Sequence, residues 1–108
     1  MNNKPPLLID VLPVLAKDIK LYFLNKSLNH LSEQVDQLRI KELCDCDDPD
    51  CGSFYLTSFE DVENDVEGYN FENKGSIEVT KGKIGFIEIF PSSFGYEIRS
   101  KIYKFLSN

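Results

Sequence analysis

A chain of 108 residues with 42% hydrophobic content has the size of one ordinary domain, 1–108, and enough apolar material for one core, so stability alone requires neither a disulfide nor a metal. The net charge of -6 hides an asymmetry: eleven acids and no lysine or arginine lie between Glu42 and Glu72, while the rest of the chain sets seven acids against all twelve bases. Such a balance lacks the basic footprint of a nucleic-acid binder, and no run approaches the roughly 18 apolar residues of a membrane span.

The opening "MNNKPPLLIDVLPVLAKD" has the lysine and apolar run of a secretory leader, but two prolines open the run, Asp10 interrupts it and "VLAKD" lacks the small-x-small cleavage pattern. The expectation is a soluble, cytoplasmic protein whose thiols stay reduced. From Leu7, apolar residues recur at the one-face spacing of a helix through Leu8, Val11, Leu12, Leu15, Ile19, Tyr22 and Phe23. Pro13 predicts a short first helix or a kink, with the main helix starting at the proline. The seam continues as Leu24, Leu28, Leu31, Val35 and Leu38, with a break expected near Asn25 to Ser27.

Beyond Leu38 the period changes. "RIKELC" and "SFYLTSF" have the aromatic and branched content of strands and predict a hairpin around the intervening loop. "EDVENDVEGYNFENKG" is acidic and poorly periodic, and predicts a loop with at most a short strand around Tyr69 to Phe71. "SIEVTKGKIGFIEIF" predicts a second hairpin turning on Lys81 and Gly82, with Val79 opposite Ile84 and Ile77 opposite Phe86 on one apolar face. Ile87 and Ile89 then fall on the other face, which predicts a bulge or a strand covered on both sides. Pro91 ends that strand, and Ser92 or Ser93 can cap a last helix carrying Ile98, Ile102, Phe105 and Leu106. The expected fold class is α+β, with N-terminal helices and a C-terminal helix packed on one face of a mainly antiparallel sheet of about four strands.

The candidate chemistry lies in "CDCDDPDCGSFYL", where Cys44, Cys46 and Cys51 alternate with Asp45, Asp47, Asp48 and Asp50. Three thiols cannot all pair within one chain. Cys44 and Cys46, on an extended segment, would stand about 7 Å apart on one side, outside easy disulfide reach, whereas a Cys46 to Cys51 bridge stays open. Pro49 and Gly52 can fold Cys51 back toward the other two, and three cysteines plus one further ligand form a known tetrahedral zinc pattern. The fourth ligand could be Asp47, Asp48, Asp50, His30, water or a cysteine from a second molecule. The plain alternative is that the cysteines act as small apolar residues supporting the turn. A reactive cysteine is disfavoured, because neighbouring carboxylates suppress thiolate formation. The acidic loop does not fit an EF-hand, since counting from Asp45 puts Pro49 at the fifth position and Asp50 where glycine is needed.

No catalytic constellation is present. His30, the sole histidine, sits beside the apolar seam as a structural residue; "CGS" around Ser53 lacks a nucleophile elbow; "KGKIG" lacks phosphate-loop spacing. Taken with "GKIGFIEIFPSSFGYEIRSKI", the loop resembles small uncharacterised bacterial proteins in which a Cys-x-Cys loop precedes a Ser-Phe-Tyr strand and a Gly-Lys-Ile-x-Phe-Ile-Glu strand lies near a C-terminal helix. The resemblance implies no activity. The expected function is a non-enzymatic, acidic protein-binding or scaffold domain that contacts a basic protein through Asp45, Asp47, Asp48 and Asp50. The alternatives are a zinc-binding module built on the three cysteines, and an immunity or inhibitor protein against a basic toxin.

Overall fold

Pro13 begins the main helix because its missing N–H is one that a first turn leaves unbonded in any case. The computed structural model describes residues 4–62 and 64–107; Met1 to Asn3, Glu63 of the acidic stretch and Asn108 lie outside the described residues. Helix α1 (Leu8–Val11) closes just ahead of the proline, and α2 (Pro13–Asn25) follows. Ser27 takes a left-handed φ of 61°, which ends α2, and α3 (Asn29–Gln34) runs into a 3-10 turn at Val35–Gln37. The break shifts the phase of the apolar seam. Leu31, Val35 and Leu38 are buried with Leu15, Ile19 and Phe23, but Leu24 is 45% exposed, because it lies still within α2, one position past the buried Phe23 and so on a different face of that helix.

Five strands follow where about four were expected: β1 (Ile40–Leu43), β2 (Phe54–Leu56), β3 (Val66–Phe71), β4 (Gly75–Thr80) and β5 (Lys83–Ile89). They form one sheet in the order β1-β2-β5-β4-β3, with every neighbouring pair antiparallel. The extra length is β3, which runs from Val66 instead of being a short piece at Tyr69. It is an edge strand paired only with β4, and its outer half is exposed, so no apolar alternation marks it in the sequence.

The hairpin of β4 and β5 turns on Lys81 and Gly82, whose φ values of 53° and 81° are both left-handed, as a two-residue connection requires. Gln34 pins this turn from α3, its amide donating to the Gly82 carbonyl and its carbonyl accepting from Ile84 N–H. Val79 lies opposite Ile84 as expected. Ile77, however, faces Ile87, while Phe86 faces Glu78, because the register steps between Glu78 and Val79 and leaves Gly85 as an extra residue. That bulge returns Ile87 and Ile89 to the face holding Ile84, and turns Phe86 out of the core. A Cβ on Gly85 would meet the Phe59 backbone at 2.9 Å, so the glycine admits the segment after β2 onto the outer face of the sheet. Tyr55, Phe59 and Phe86 cluster there, with ring centroids 4.8 and 4.6 Å apart for Tyr55–Phe59 and Tyr55–Phe86.

One buried cluster joins Leu8, Leu12, Ile19, Phe23 and Leu31 from the helices to Phe54, Leu56, Phe71, Ile77, Ile87 and Ile89 from the sheet. Helix α4 (Ser93–Leu106) adds Ile98 and Ile102 to that cluster. Ser92 caps it, its hydroxyl accepting from Gly95 N–H at 2.9 Å. Phe105 and Leu106, expected on the buried face, are 48% and 39% exposed, since the last turn contributes nothing to the core. No helix among the described residues is long and apolar enough to cross a membrane.

Candidate metal centre

The cysteines occupy a loop whose two ends are tied to the sheet. On the entering side, Cys44 N–H donates to Ser53 C=O at 2.9 Å, extending the β1–β2 ladder one step past Leu43. On the leaving side, Gly52 N–H donates to Ile89 C=O at 3.3 Å. The buried Ser53 hydroxyl accepts from Ile89 N–H at 2.9 Å and donates back to Ile89 C=O at 3.3 Å. That hydroxyl therefore replaces a rung of the β2–β5 ladder. Between the two ends, Asp48-Pro49-Asp50-Cys51 makes a turn: Cys51 N–H reaches Asp48 C=O at 3.1 Å, and the Asp48 carboxylate accepts from Asp50 N–H at 2.9 Å.

Helix α4 presses on this turn from the other side. Ser92 N–H donates to Asp50 C=O at 3.2 Å. A Cβ on Gly95 would lie 2.1 Å from the same carbonyl oxygen, and one on Gly52 would lie 2.9 Å from the Gly95 backbone, so two glycines allow main chain to pack on main chain. One turn further on, the Arg99 guanidinium donates to Cys51 C=O at 3.4 Å and to Cys46 C=O at 3.5 Å.

These constraints bring the three sulfurs within 4.8 Å of one another, and all three cysteines are free thiols. Thiolates about 2.3 Å from a tetrahedral zinc stand about 3.8 Å apart, so the trio needs only a small side-chain adjustment to hold such an ion. Cys44 and Cys46 are half-buried and Cys51 is buried. Burial, followed by the hydrogen bond with Cys46 and the charges of Cys46 and Cys51, pushes the Cys44 thiol up to about 11. Burial also pushes Cys51 up, but hydrogen bonds from Cys46, from the Ser53 amide and hydroxyl and from Cys44 outweigh it and leave Cys51 below the usual thiol value. The three thiols therefore titrate as a linked set, in which Cys51 gives up its proton more readily than Cys44 and the charge of its neighbours opposes ionisation of Cys44.

Among the described residues no histidine or carboxylate joins the three sulfurs. His30 lies exposed on α3, and Asp45, Asp47, Asp48 and Asp50 are all exposed, with the Asp48 carboxylate engaged inside its own turn. The spacing of the cysteines was visible in the sequence; the contributions of Ser53, Gly95 and Arg99 were not. Gly95, a glycine in the first turn of an otherwise regular helix, was the one available signal of a close backbone approach. No protein-family model matches the chain, and neither a curated protein nor a solved structure does.

Proposed function

We propose that this domain binds a divalent, thiophilic metal ion of the zinc class through Cys44, Cys46 and Cys51, with the fourth coordination position completed from outside the chain. The observation that carries the reading is the convergence of three sulfurs within 4.8 Å in a loop anchored by backbone bonds at both ends. Cysteines serving merely as small apolar residues would all face the core, yet only Cys51 is buried, and Cys44 and Cys46 stay half-buried beside it. The metal closes the loop between β1 and β2 and holds it against α4, a structural role that requires no catalysis. Native mass spectrometry of protein purified without added metal should find about one zinc per chain, and Cys44→Ser and Cys51→Ser should each lose it. Stoichiometry near zero with three freely titratable thiols would retire the proposal.

A second reading concerns what the loop displays. Asp45, Asp47 and Asp50 point no charge into a described ion pair and stay exposed beside the metal loop, which suits a contact with a basic protein such as a cationic toxin. Association with that partner should weaken steeply between about 0.1 and 1 M salt, as the Debye length shrinks from about 10 to about 3 Å. Binding indifferent to salt would remove this reading and leave the metal site untouched.

A further inference from the structure

Arg99 stands beside a loop containing four aspartates, yet among the described residues no carboxylate pairs with it: the two ion pairs are Lys20–Asp36 and Lys74–Glu72. Its guanidinium, partly buried on α4, is instead aimed at the main chain of two of the three cysteines, bonding the carbonyls of Cys51 and Cys46. The two carbonyls fix the direction of the guanidinium and satisfy its donors, but being neutral they leave its full positive charge directed at the cysteine turn. A divalent ion held by three thiolates carries one net negative charge, which one guanidinium balances. We infer that Arg99 is the charge-balancing and positioning residue of the three-thiolate centre. It spans the two ends of the Cys46–Cys51 turn, sets their separation, and supplies the positive charge that a metal–thiolate cluster requires.

This inference rests on the metal-binding reading and goes beyond it, because a three-cysteine site could bind metal with no help from α4. It also accounts for the side of the balance that is met: a monovalent ion with three thiolates would leave one negative charge uncompensated, whereas a divalent ion leaves none. Groups surrounding a metal's direct ligands commonly change its affinity 10- to 100-fold. Arg99 should lie in that range, since it acts on two ligand-bearing residues at once.

The test uses the full chain, with zinc affinity measured by competition against a chromogenic chelator and cobalt(II) absorption as a second readout of thiolate coordination. Arg99→Gln, which keeps a hydrogen-bond donor and removes the charge, should weaken zinc binding about 10- to 100-fold. Arg99→Lys should recover a substantial part of that loss. The melting temperature of the metal-free protein should be similar in the two variants, so a difference in affinity between them reports charge and not folding. Unchanged affinity in Arg99→Gln overturns the inference while leaving the metal site in place. Equal losses in both variants that track the metal-free melting temperature overturn it too, in favour of a purely structural arginine. Failure of the unaltered protein to bind zinc or cobalt overturns the metal reading itself and this inference with it.

Discussion

Gly95→Ala tests whether the cysteine loop depends on main chain packing against main chain. In an exposed helix the change should stabilise by up to about 1 kcal/mol, since alanine is the better helix former. Here the added Cβ would sit 2.1 Å from the Asp50 carbonyl oxygen, 2.9 Å from the Phe90 carbonyl oxygen and 3.2 Å from Gly52 N. All three are backbone atoms and cannot rotate aside, so the turn at Asp48–Cys51 must open by about 1 Å, against the low compressibility of a packed interior. Overpacking of this kind costs about 1–3 kcal/mol. Opening also strains the bond from Ser92 N–H to Asp50 C=O, worth about 1 kcal/mol. After subtracting the gain in helix propensity, a net loss of about 1–3 kcal/mol is expected. Urea denaturation of the metal-free protein measures it as a lower midpoint at unchanged slope. Gly68→Ala is the matched control, because a Cβ there meets nothing within 4 Å on the edge strand, and its stability should stay within about 0.5 kcal/mol of the parent. A Gly95→Ala protein as stable as the parent, or more so, would refute the packing argument.

The bulge at Gly85 makes Ile87 and not Phe86 the core residue of β5, so Ile87→Ala should cost about 2–5 kcal/mol. Phe86→Ala should cost less despite removing the larger side chain, and the reverse order in chemical denaturation would contradict the register. Burial, and then the charge of Glu88, raise the Glu78 carboxyl above its ordinary value. A carboxyl with a raised folded pKa binds protons more readily in the folded state, so it costs stability while ionised and regains it as pH falls through the folded pKa. Glu78→Gln should therefore stabilise at neutral pH, by less than about 1 kcal/mol once solvent screening is allowed for. The gain should fade on acidification, and a Glu78→Gln protein with the parent's pH–stability profile would count against the shift.

Local chemistry was legible without coordinates. Pro13 announces the start of α2, Lys81-Gly82 between two apolar alternations announces a hairpin, and Ser92 after Pro91 announces a cap, because each depends on the covalent geometry of one or two residues. The fold class followed from the same signals summed along the chain. The face on which Ile87 and Ile89 lie was different: the sequence posed the conflict with Ile84, but only the placing of Phe59 against Gly85 shows where the bulge falls. Edge strand β3 was largely hidden, since an exposed strand has no need of apolar alternation and is held by backbone pairing that leaves no mark in side-chain pattern. The cysteine cluster divides in the same way. Three cysteines within eight positions could be read from the chain, whereas their convergence depends on Ile89, Ser92, Gly95 and Arg99, which lie 38 or more residues beyond Cys51. Contacts over that separation form only when the chain closes on itself, so no local pattern of residue types could encode them.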